Sequence, residues 1–324
     1  MSVLYLKDLK GKTAFVTGGS GLLGSFIIRR LLSLDATVYS LETNRTRLFD
    51  RLDGLKVSRV LGDINEPSAY SNEIKEADMV IDLAAMVNIS QCASDPAACY
   101  RTNTLGTVSI LEAMRKNCRK DAKFLYCSTT NVYGKPAYLP IDEAHPLLPS
   151  EQYGSSKAAS EMICNVYHRT YGMDIVCIRP SSIYGPSQEK TQLIPKILSL
   201  SSTGGKILKS KNKICRDFVY AGDVAEAAIA SCEKGKPGNA YNIASGISMD
   251  VNDIIDEILA MAKVKNPNIE MADLQPRENE CSGISFSISK AKQELGWVPK
   301  TSIKTGLSET ISYFEKRRDD KHGK

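Results

Sequence analysis

The sequence predicts an α/β fold, in which a parallel β-sheet has helices on both faces and a smaller α/β lobe follows. Over residues 1–180, short apolar runs typical of strands alternate with longer segments that have helical periodicity. A glycine-rich segment follows the first of these runs, and the pattern becomes less regular beyond residue 180. Because parallel strands need crossover connections, this alternation indicates a doubly wound parallel sheet.

The predicted strands are short apolar runs: Thr13–Thr17, Thr37–Leu41, Val57–Leu61, Met79–Leu83, Phe124–Cys127 and Ile175–Ile178. The predicted helices repeat apolar residues three and four positions apart: Leu22–Leu34, Pro96–Asn117 and Gln152–Tyr171. Pro96 suits the first turn of a helix, because an N–H there has no partner within the helix.

The domain organisation follows from the change of pattern after residue 180, where proline, glycine and serine become frequent. We predict a Rossmann-type domain over residues 1–180 and a substrate-binding lobe over residues 181–219 and 246–324. Residues 220–245 contain a helix-like and a strand-like segment, which we expect to rejoin the first domain. The substrate-binding lobe is then discontinuous in sequence.

Composition excludes several classes of protein. Of 324 residues, 24% are charged and 42% are hydrophobic, which is ordinary for a globular chain and excludes a mostly disordered one. A net charge of +5 is weak support for nucleic-acid binding, so we expect none. No apolar run approaches the ~20 residues of a membrane span, and the opening MSVLYLKDLKGK is too charged for an export signal.

Cysteine and histidine usage points to a reduced, metal-free chain. The nine cysteines include no CxxC pair and cannot all pair, and only three histidines are present, none beside a cysteine cluster. We therefore expect a cytoplasmic protein without a metal site.

The segment Thr17–Gly24, TGGSGLLG, connects the first strand to the first helix. Its glycines Gly18, Gly21 and Gly24 stand three apart, which lets backbone N–H groups approach a diphosphate at the positive end of the helix dipole. Glycine triplets also occur in ordinary turns, but this one lies at the first strand-to-helix turn. It therefore predicts a dinucleotide site.

The preferred dinucleotide is predicted from Glu42, which ends the second strand. A carboxylate at this position accepts hydrogen bonds from the adenosine ribose hydroxyls and repels a 2′-phosphate, which favours NAD. Arg45 and Arg47 follow closely and leave NADP open, because either guanidinium is able to pair with a 2′-phosphate.

Tyr153 and Lys157 stand four apart in a predicted helix and so share one of its faces. An ammonium near a phenol lowers the pKa of the phenol, which prepares Tyr153 for proton transfer to and from a substrate oxygen. Such pairs also occur on solvated helix faces. Thr129, in the segment STTNVYG after a predicted strand of the same sheet, adds a hydroxyl expected beside Tyr153.

The chain resembles the extended short-chain dehydrogenase/reductases, in particular the nucleotide-sugar epimerases, dehydratases and 4-reductases. The resemblance covers nearly the whole chain and is carried by these segments in order: TGGSGLLG, GDI, DLAA, NTLGT, STTNVYG, YGSSK, RPSSIYGP, RDFVYAGDVAEA and ELGWVPKTSIKTGL.

The resemblance implies a role for each matching residue. The catalytic residues would be Thr129, Tyr153 and Lys157, with Thr129 and Tyr153 bonding the sugar C4 oxygen. The cofactor-binding residues would be Gly18, Gly21, Leu22, Leu23, Gly24, Glu42, Asp63, Ile64, Ala84, Ala85, Asn103, Tyr153, Lys157 and Pro180. The substrate-binding residues would be Thr129, Ser182, Arg216 and Arg277, with the two arginines gripping the sugar-nucleotide diphosphate.

Three positions depart from the family pattern. Thr130 and Asn131 replace the Asp-Glu pair with which the family's 4,6-dehydratases remove water from C5 and C6. Ser182 replaces a frequent Asn, which shortens or removes a substrate contact, and Ser287 replaces a frequent Asp.

These features together predict an NAD-dependent nucleotide-sugar 4-epimerase that acts through a transient 4-keto intermediate. A net oxidoreductase, either a 4-keto reductase or a hydroxyl dehydrogenase, would use the same three residues, and a non-catalytic dinucleotide sensor is a third interpretation. The resemblance also implies a homodimer built on the helices Pro96–Asn117 and Gln152–Tyr171. The sequence does not identify the base or the sugar.

Overall fold

The computed structural model describes residues 9–43, 51–275 and 283–322, with the side chains of the last helix described to residue 317. Its strands are β1 (Thr13–Thr17), β2 (Thr37–Glu42), β3 (Ser58–Leu61), β4 (Met79–Asp82), β5 (Lys123–Cys127), β6 (Asp174–Pro180), β7 (Ser182–Tyr184), β8 (Ile207–Ser210), β9 (Cys215–Arg216), β10 (Phe218–Tyr220), β11 (Ala240–Ile243), β12 (Met249–Asp250) and β13 (Ile269–Ala272). In the described part of the chain, seven of these strands form one parallel sheet in the order β11-β6-β5-β4-β1-β2-β3.

The α-helices are α1 (Leu22–Ser33), α2 (Ser71–Ile74), α3 (Ile89–Ser94), α4 (Pro96–Tyr100), α5 (Gly106–Asn117), α6 (Gln152–Tyr171), α7 (Leu193–Thr203), α8 (Ala221–Lys234), α9 (Val251–Met261) and α10 (Ile303–His322). The long helix predicted over Pro96–Asn117 is α4 and α5 joined by a π-helical turn over Arg101–Leu105. A π-helical turn is a local change of backbone hydrogen bonding, which the spacing of apolar residues did not predict.

The central sheet is covered on both faces, which confirms the predicted doubly wound α/β fold. Along β1, Val16 packs into the cluster that contains Ile27 of α1 and Val224 of α8. Phe15 points to the opposite face and packs with Ile110 of α5. Both clusters are fully buried because successive side chains of a strand point to opposite faces, and helices lie on each.

The second lobe has its own apolar core, formed by α7, α9, α10 and the strands near them. Tyr184, Ile194, Ile207, Ile254 and Leu307 are buried in this cluster. The chain returns from this lobe through α8, which packs on α1, and β11, which pairs in parallel with β6. The domain boundaries expected from the sequence stay a prediction.

A buried polar chain links α6, β6 and β11. The guanidinium of Arg179 donates to both carboxylate oxygens of Glu161, at 2.6–3.1 Å, and to the hydroxyl of Tyr133 at 2.9 Å. The Tyr133 hydroxyl in turn donates to Asn242 at 2.6 Å. Burial alone would lower the pKa of Arg179, but Glu161 and Tyr133 raise it above its usual value, so the guanidinium stays charged.

Replacing Glu161 by Gln is expected to destabilise the fold by about 3–5 kcal/mol, because a buried guanidinium loses its carboxylate. Urea denaturation followed by circular dichroism measures the change. The matched control is Glu270→Gln, whose carboxylate pairs with Lys206 at the surface, with side chains 51% and 57% exposed, and should cost about 1 kcal/mol or less. Equal losses in the two variants would contradict a stabilising role for the buried pair.

Candidate functional site

A cavity of about 1620 Å³ opens at the carboxyl ends of the parallel strands, between the sheet and the second lobe. Its walls come from both parts of the chain, with the glycine turn after β1 on one side and residues after β6 and on β9 on the other. Ligands of open parallel sheets bind at this edge. The cavity is therefore the candidate site, and each predicted residue can be placed relative to it.

The glycine turn forms a cradle that side chains would fill. Gly18 has a φ of +66°, and a Cβ there would lie 3.0 Å from the backbone nitrogen of Ala84. A Cβ on Gly24 would lie 2.4 Å from the carbonyl oxygen of Gly18. Gly19, which the sequence analysis did not select, is equally restricted, because its Cβ would lie 2.0 Å from the Ser40 hydroxyl. The adjacent glycines Gly18 and Gly19 in the sequence were the signal that could have identified this position.

Helix α1 begins at Leu22, directly after the cradle. Its N-cap is Gly21, which makes no side-chain hydrogen bond to the first turn. The first backbone N–H groups of a helix have no partner within it, and they carry the positive end of its dipole. Gly21, Leu22, Leu23 and Gly24 all line the cavity, so this end of α1 suits a diphosphate.

Glu42 ends β2 and is buried beside the glycine turn. Its Oε1 accepts hydrogen bonds from the backbone N–H of Ser20 at 3.1 Å and from the hydroxyl of Ser40 at 2.5 Å. The carboxylate thus fixes the turn as well as lining the cavity. Arg45 and Arg47 lie outside the described residues.

The loops after β3 and β4 form the floor of the cavity, where Asp63, Ile64, Ala84 and Ala85 line the wall. The hydroxyl of Thr17 fixes the second loop, because it donates to Asp82 at 2.7 Å and accepts from the backbone N–H of Ala84 at 3.0 Å. Asp82 is fully buried, and burial raises its pKa while the Lys157 charge and the hydroxyl donors lower it.

Thr129 and Tyr153 meet at the cavity wall, as predicted from their places after β5 and at the start of α6. Both line the cavity, and Thr129 lies close enough to Tyr153 to lower the pKa of its phenol. Glu151 caps α6 by accepting from the backbone N–H groups of Tyr153 and Gly154 at 2.7 and 2.8 Å, which fixes the first turn of the helix. Burial and Cys127 raise the pKa of Tyr153, and Thr129 lowers it only in part.

Lys157 also lines the cavity. Its Nζ lies 4.3 Å from the ring centroid of Tyr126, and its charge lowers the pKa of Asp82 and Cys127. The pKa of Tyr153 is raised rather than lowered as expected from the sequence, with burial as the main cause. Four-residue spacing fixes the helix face of Lys157 but not where its flexible ammonium ends.

Asn103 is fully buried and lies outside the cavity wall. Its side chain accepts from the backbone N–H of Met86 at 2.7 Å and donates to the hydroxyl of Ser156 at 2.9 Å. It therefore ties the loop after β4 to α6. Two buried thiols adjoin this contact, since Cys99 lies 2.7 Å from Cys92 and 3.5 Å from the Asn103 amide.

The wall opposite the glycine turn carries Pro180, Ser182 and Arg216. Next to Arg216, the buried Asp217 accepts from the backbone N–H groups of Ser245 and Gly246 at 2.7 and 2.9 Å, which holds β9 against the segment after β11. Arg277 lies outside the described residues.

The cavity fits a nicotinamide dinucleotide. The glycine turn leaves space for a diphosphate because its glycines lack Cβ atoms. The buried hydroxyls of Ser20 and Ser128 have no hydrogen-bond partner among the described residues. Both serines line the cavity, so the groups of a bound dinucleotide could satisfy them. The described ranges contain no cluster of three or more metal-ligating side chains, and none of their helices has the length and apolarity to cross a membrane.

Known proteins are similar to this chain in sequence and in fold. A model of the family described as GDP-mannose 4,6 dehydratase matches residues 15–310. A protein from Methanocaldococcus jannaschii, provisionally named UDP-glucose 4-epimerase, is 32% identical over 313 residues, spanning 93% of this chain and 97% of that protein.

Two solved structures superpose along most of the chain. The UDP-glucose 4-epimerase of Thermotoga maritima, crystallised with UDP-glucose, has a TM-score of 0.86 and 26% identity, covering 94% of this chain and 99% of that one. The dTDP-glucose 4,6-dehydratase of Streptomyces venezuelae, with NAD bound, has a TM-score of 0.86 and 25% identity, covering 95% and 98%.

The fold and the site define an NAD(P)-dependent enzyme of the extended short-chain dehydrogenase/reductase class. The chain belongs to the GDP-mannose 4,6-dehydratase family, within the nucleotide-sugar epimerase/dehydratase group. The resemblance inferred from the sequence motifs is thereby confirmed, and so are the Rossmann-type fold and the use of a nicotinamide dinucleotide.

Proposed function

We propose that this enzyme is an NAD-dependent nucleotide-sugar 4-epimerase. One observation carries the proposal: Thr129 and Tyr153 line the cavity close to each other, while the positions directly after Thr129 hold no acid or base. The pair is suited to moving a proton at a substrate oxygen. The adjacent positions decide which reaction follows.

The proton at the sugar C4 oxygen is handled by Tyr153, with Thr129 orienting the same oxygen. Bound NAD supplies the chemistry of taking up a hydride from C4 and returning it. Tyr153 accepts the hydroxyl proton as the C4 ketone forms and donates it again when the opposite face of the ketone is reduced. Its raised pKa keeps a proton on the phenol at rest, so the oxidising direction needs positive charge near it.

The cofactor side of the cavity would be held by the glycine turn, Glu42 and Lys157. Lys157 reaches the cavity wall with no hydrogen-bond acceptor among the described residues, and its ammonium can donate to ribose hydroxyls. Glu42 keeps one carboxylate oxygen, Oε2, outside the bonds to Ser20 and Ser40 described above. That oxygen suits ribose hydroxyls and opposes a 2′-phosphate, which supports NAD over NADP.

A 4,6-dehydration is disfavoured by Thr130 and Asn131. Removing water across C5 and C6 needs one group to take the C5 proton and another to protonate the leaving oxygen. A threonine hydroxyl and an amide do neither near neutral pH. The Asn131 amide also donates to Glu151, the cap of α6, at 3.3 Å, which gives it a structural role.

The substrate would lie between the Thr129–Tyr153 pair and the wall formed by Ser182 and Arg216. A guanidinium pairs well with a diphosphate, and Arg216 is the cationic residue predicted here that the structure describes. Arg277 stays a prediction from the sequence. The diphosphate would anchor the substrate while the sugar ring turns over between the two hydride steps.

The assay that tests the function supplies UDP-, dTDP- and GDP-hexoses to the purified enzyme without added cofactor. An epimerase restores its NAD in each cycle, so we expect the C4 epimer with no accumulation of reduced cofactor at 340 nm. The matching free hexose should be a poor substrate, because it lacks the binding energy of the diphosphate. Stoichiometric NADH formation, stoichiometric consumption of added cofactor, or loss of water from the sugar would contradict the proposal.

Replacing Tyr153 by Phe should lower turnover by about 10²–10⁴-fold, because the ring stays while the proton-transferring hydroxyl is lost. NAD affinity, measured by fluorescence titration, should stay close to that of the wild type. Tyr138→Phe is the control, since it removes a phenol at the surface that bonds to Asp142. Wild-type turnover by Tyr153→Phe would exclude the proposed role.

We also propose a homodimer that buries α5 and α6 against the same helices of a second copy. Apolar side chains are exposed there, with Met162 66% and Val166 49% exposed one turn apart on α6. Sedimentation should give twice the chain mass of 35.5 kDa, and Met162→Glu with Val166→Glu should give the monomer. Leu208→Glu, in the second lobe, is the control and should stay dimeric. A monomeric wild type at micromolar concentration would contradict the proposal.

A further inference from the structure

Arg51 connects the two sides of the cofactor cavity. Its Nη1 donates to the carbonyl oxygen of Ser20, within the glycine turn, at 2.7 Å. Its Nη2 donates to the carbonyl oxygen of Ser187 at 2.7 Å, and its Nε reaches the carbonyl and hydroxyl oxygens of Ser187 at 3.2 and 3.1 Å. Ser187 belongs to the segment between β7 and α7, so one guanidinium holds that segment against the turn.

The segment held by Arg51 forms part of the cavity wall. Gln188 and Glu189 line the cavity together with Arg51, and the side-chain oxygen of Gln188 is buried without a hydrogen-bond partner among the described residues. Ser187 has a φ of +68°, a conformation that a residue with a side chain rarely adopts. The Arg51 bonds to its carbonyl and hydroxyl oxygens hold it there.

The bonds of Arg51 leave part of its donor capacity unused. A guanidinium has five N–H groups, and the contacts to Ser20 and Ser187 use one on each nitrogen. One N–H on each Nη therefore remains without an acceptor in the described ranges. Its hydrogen-bond partners are neutral oxygens, and Arg51 forms no salt bridge among the described residues, although its pKa, which burial lowers, is raised in part by the Glu189 charge. A half-buried cation with a spare donor on each terminal nitrogen is suited to a phosphate.

We propose that Arg51 binds the 5′-diphosphate of the dinucleotide and, through Ser187, latches the segment 185–192 over it. The glycine turn presents backbone N–H groups to a diphosphate, and Arg51 is fixed to the carbonyl side of the same turn at Ser20. Glu42 holds the N–H of Ser20, so the turn is clamped from both sides. Filling the two free donors with phosphate oxygens makes the latch depend on the cofactor. This inference concerns dinucleotide binding and is independent of the proposed epimerase reaction.

The binding arm of the test uses Arg51→Met and measures the displacement of bound NADH, followed by its fluorescence, by 5′-AMP, adenosine and 2′-AMP. The affinity for 5′-AMP should fall about tenfold or more, because a charge-assisted contact to phosphate is lost. The affinity for adenosine, which lacks the phosphate, should stay within about twofold. Arg119→Met is the control: it removes a guanidinium that bonds to Asp78 and Asp121 at the amino end of the sheet.

The latch arm measures limited tryptic cleavage after Lys190, which is exposed in the segment and gives fragments 1–190 and 191–324. NAD should slow this cleavage in the wild type and in Arg119→Met. In Arg51→Met, cleavage without NAD should be faster than in the wild type. Added NAD should slow it much less than it slows cleavage of the wild type. Mass spectrometry of the fragments identifies the cleaved bond.

Several results would overturn the inference. Wild-type affinity of Arg51→Met for 5′-AMP excludes the phosphate contact, and an equal loss for adenosine shows only a distorted turn. A larger loss for 2′-AMP than for 5′-AMP places the contact on the 2′-phosphate instead. Wild-type protection at Lys190 excludes the latch. Should Arg51→Met fail to fold, Arg51→Lys is the deciding variant, because it keeps the positive charge but loses the planar guanidinium. The inference requires that both its affinity for 5′-AMP and its protection by NAD fall, and wild-type values of either would overturn it.

Discussion

The buried ion pair between Glu161 and Arg179 is the constraint on which the site geometry depends. It joins α6, which carries Tyr153 and Lys157, to β6, and through Tyr133 it also fixes the turn that follows Thr129. A charge pair this deeply buried, with side chains 2% and 7% exposed, tolerates little change of geometry. The side chains of Thr129 and Tyr153, which we propose to be catalytic, are therefore positioned by a helix and a strand that are locked together away from the cavity itself.

Local patterns sufficed for the features that one segment determines alone. The glycine turn, the strands of the sheet, α6 and the meeting of Thr129 with Tyr153 all follow from periodicity, turn chemistry and the common edge of parallel strands. Features that depend on contacts between distant segments could not be predicted from local sequence patterns. The bridge from Arg51 to Ser187 spans 136 positions, and the direction of the Lys157 ammonium depends on Tyr126 and Asp82.

One fold can support different reactions when separate residues carry the separate chemical steps. In the proposed mechanism, the Thr129–Tyr153 pair moves the proton that accompanies reversible oxidation at one carbon, which an epimerase and a dehydratase both require. On the same proposal, the two positions after Thr129 determine whether elimination can follow, and here they hold a hydroxyl and an amide. Overall similarity to relatives of both kinds thus carries less information about the reaction than these two side chains do.

The return of β11 to the sheet has a consequence for synthesis on the ribosome. β6 is complete at Pro180, but its partner β11 ends at Ile243, roughly sixty residues later. At usual elongation rates the nascent chain therefore exposes an unpaired β6 edge for several seconds. Such an edge can pair with another chain. Arg179 also lacks its link through Tyr133 to Asn242 during this interval. Chaperone contact and mispairing should concentrate in this window of translation.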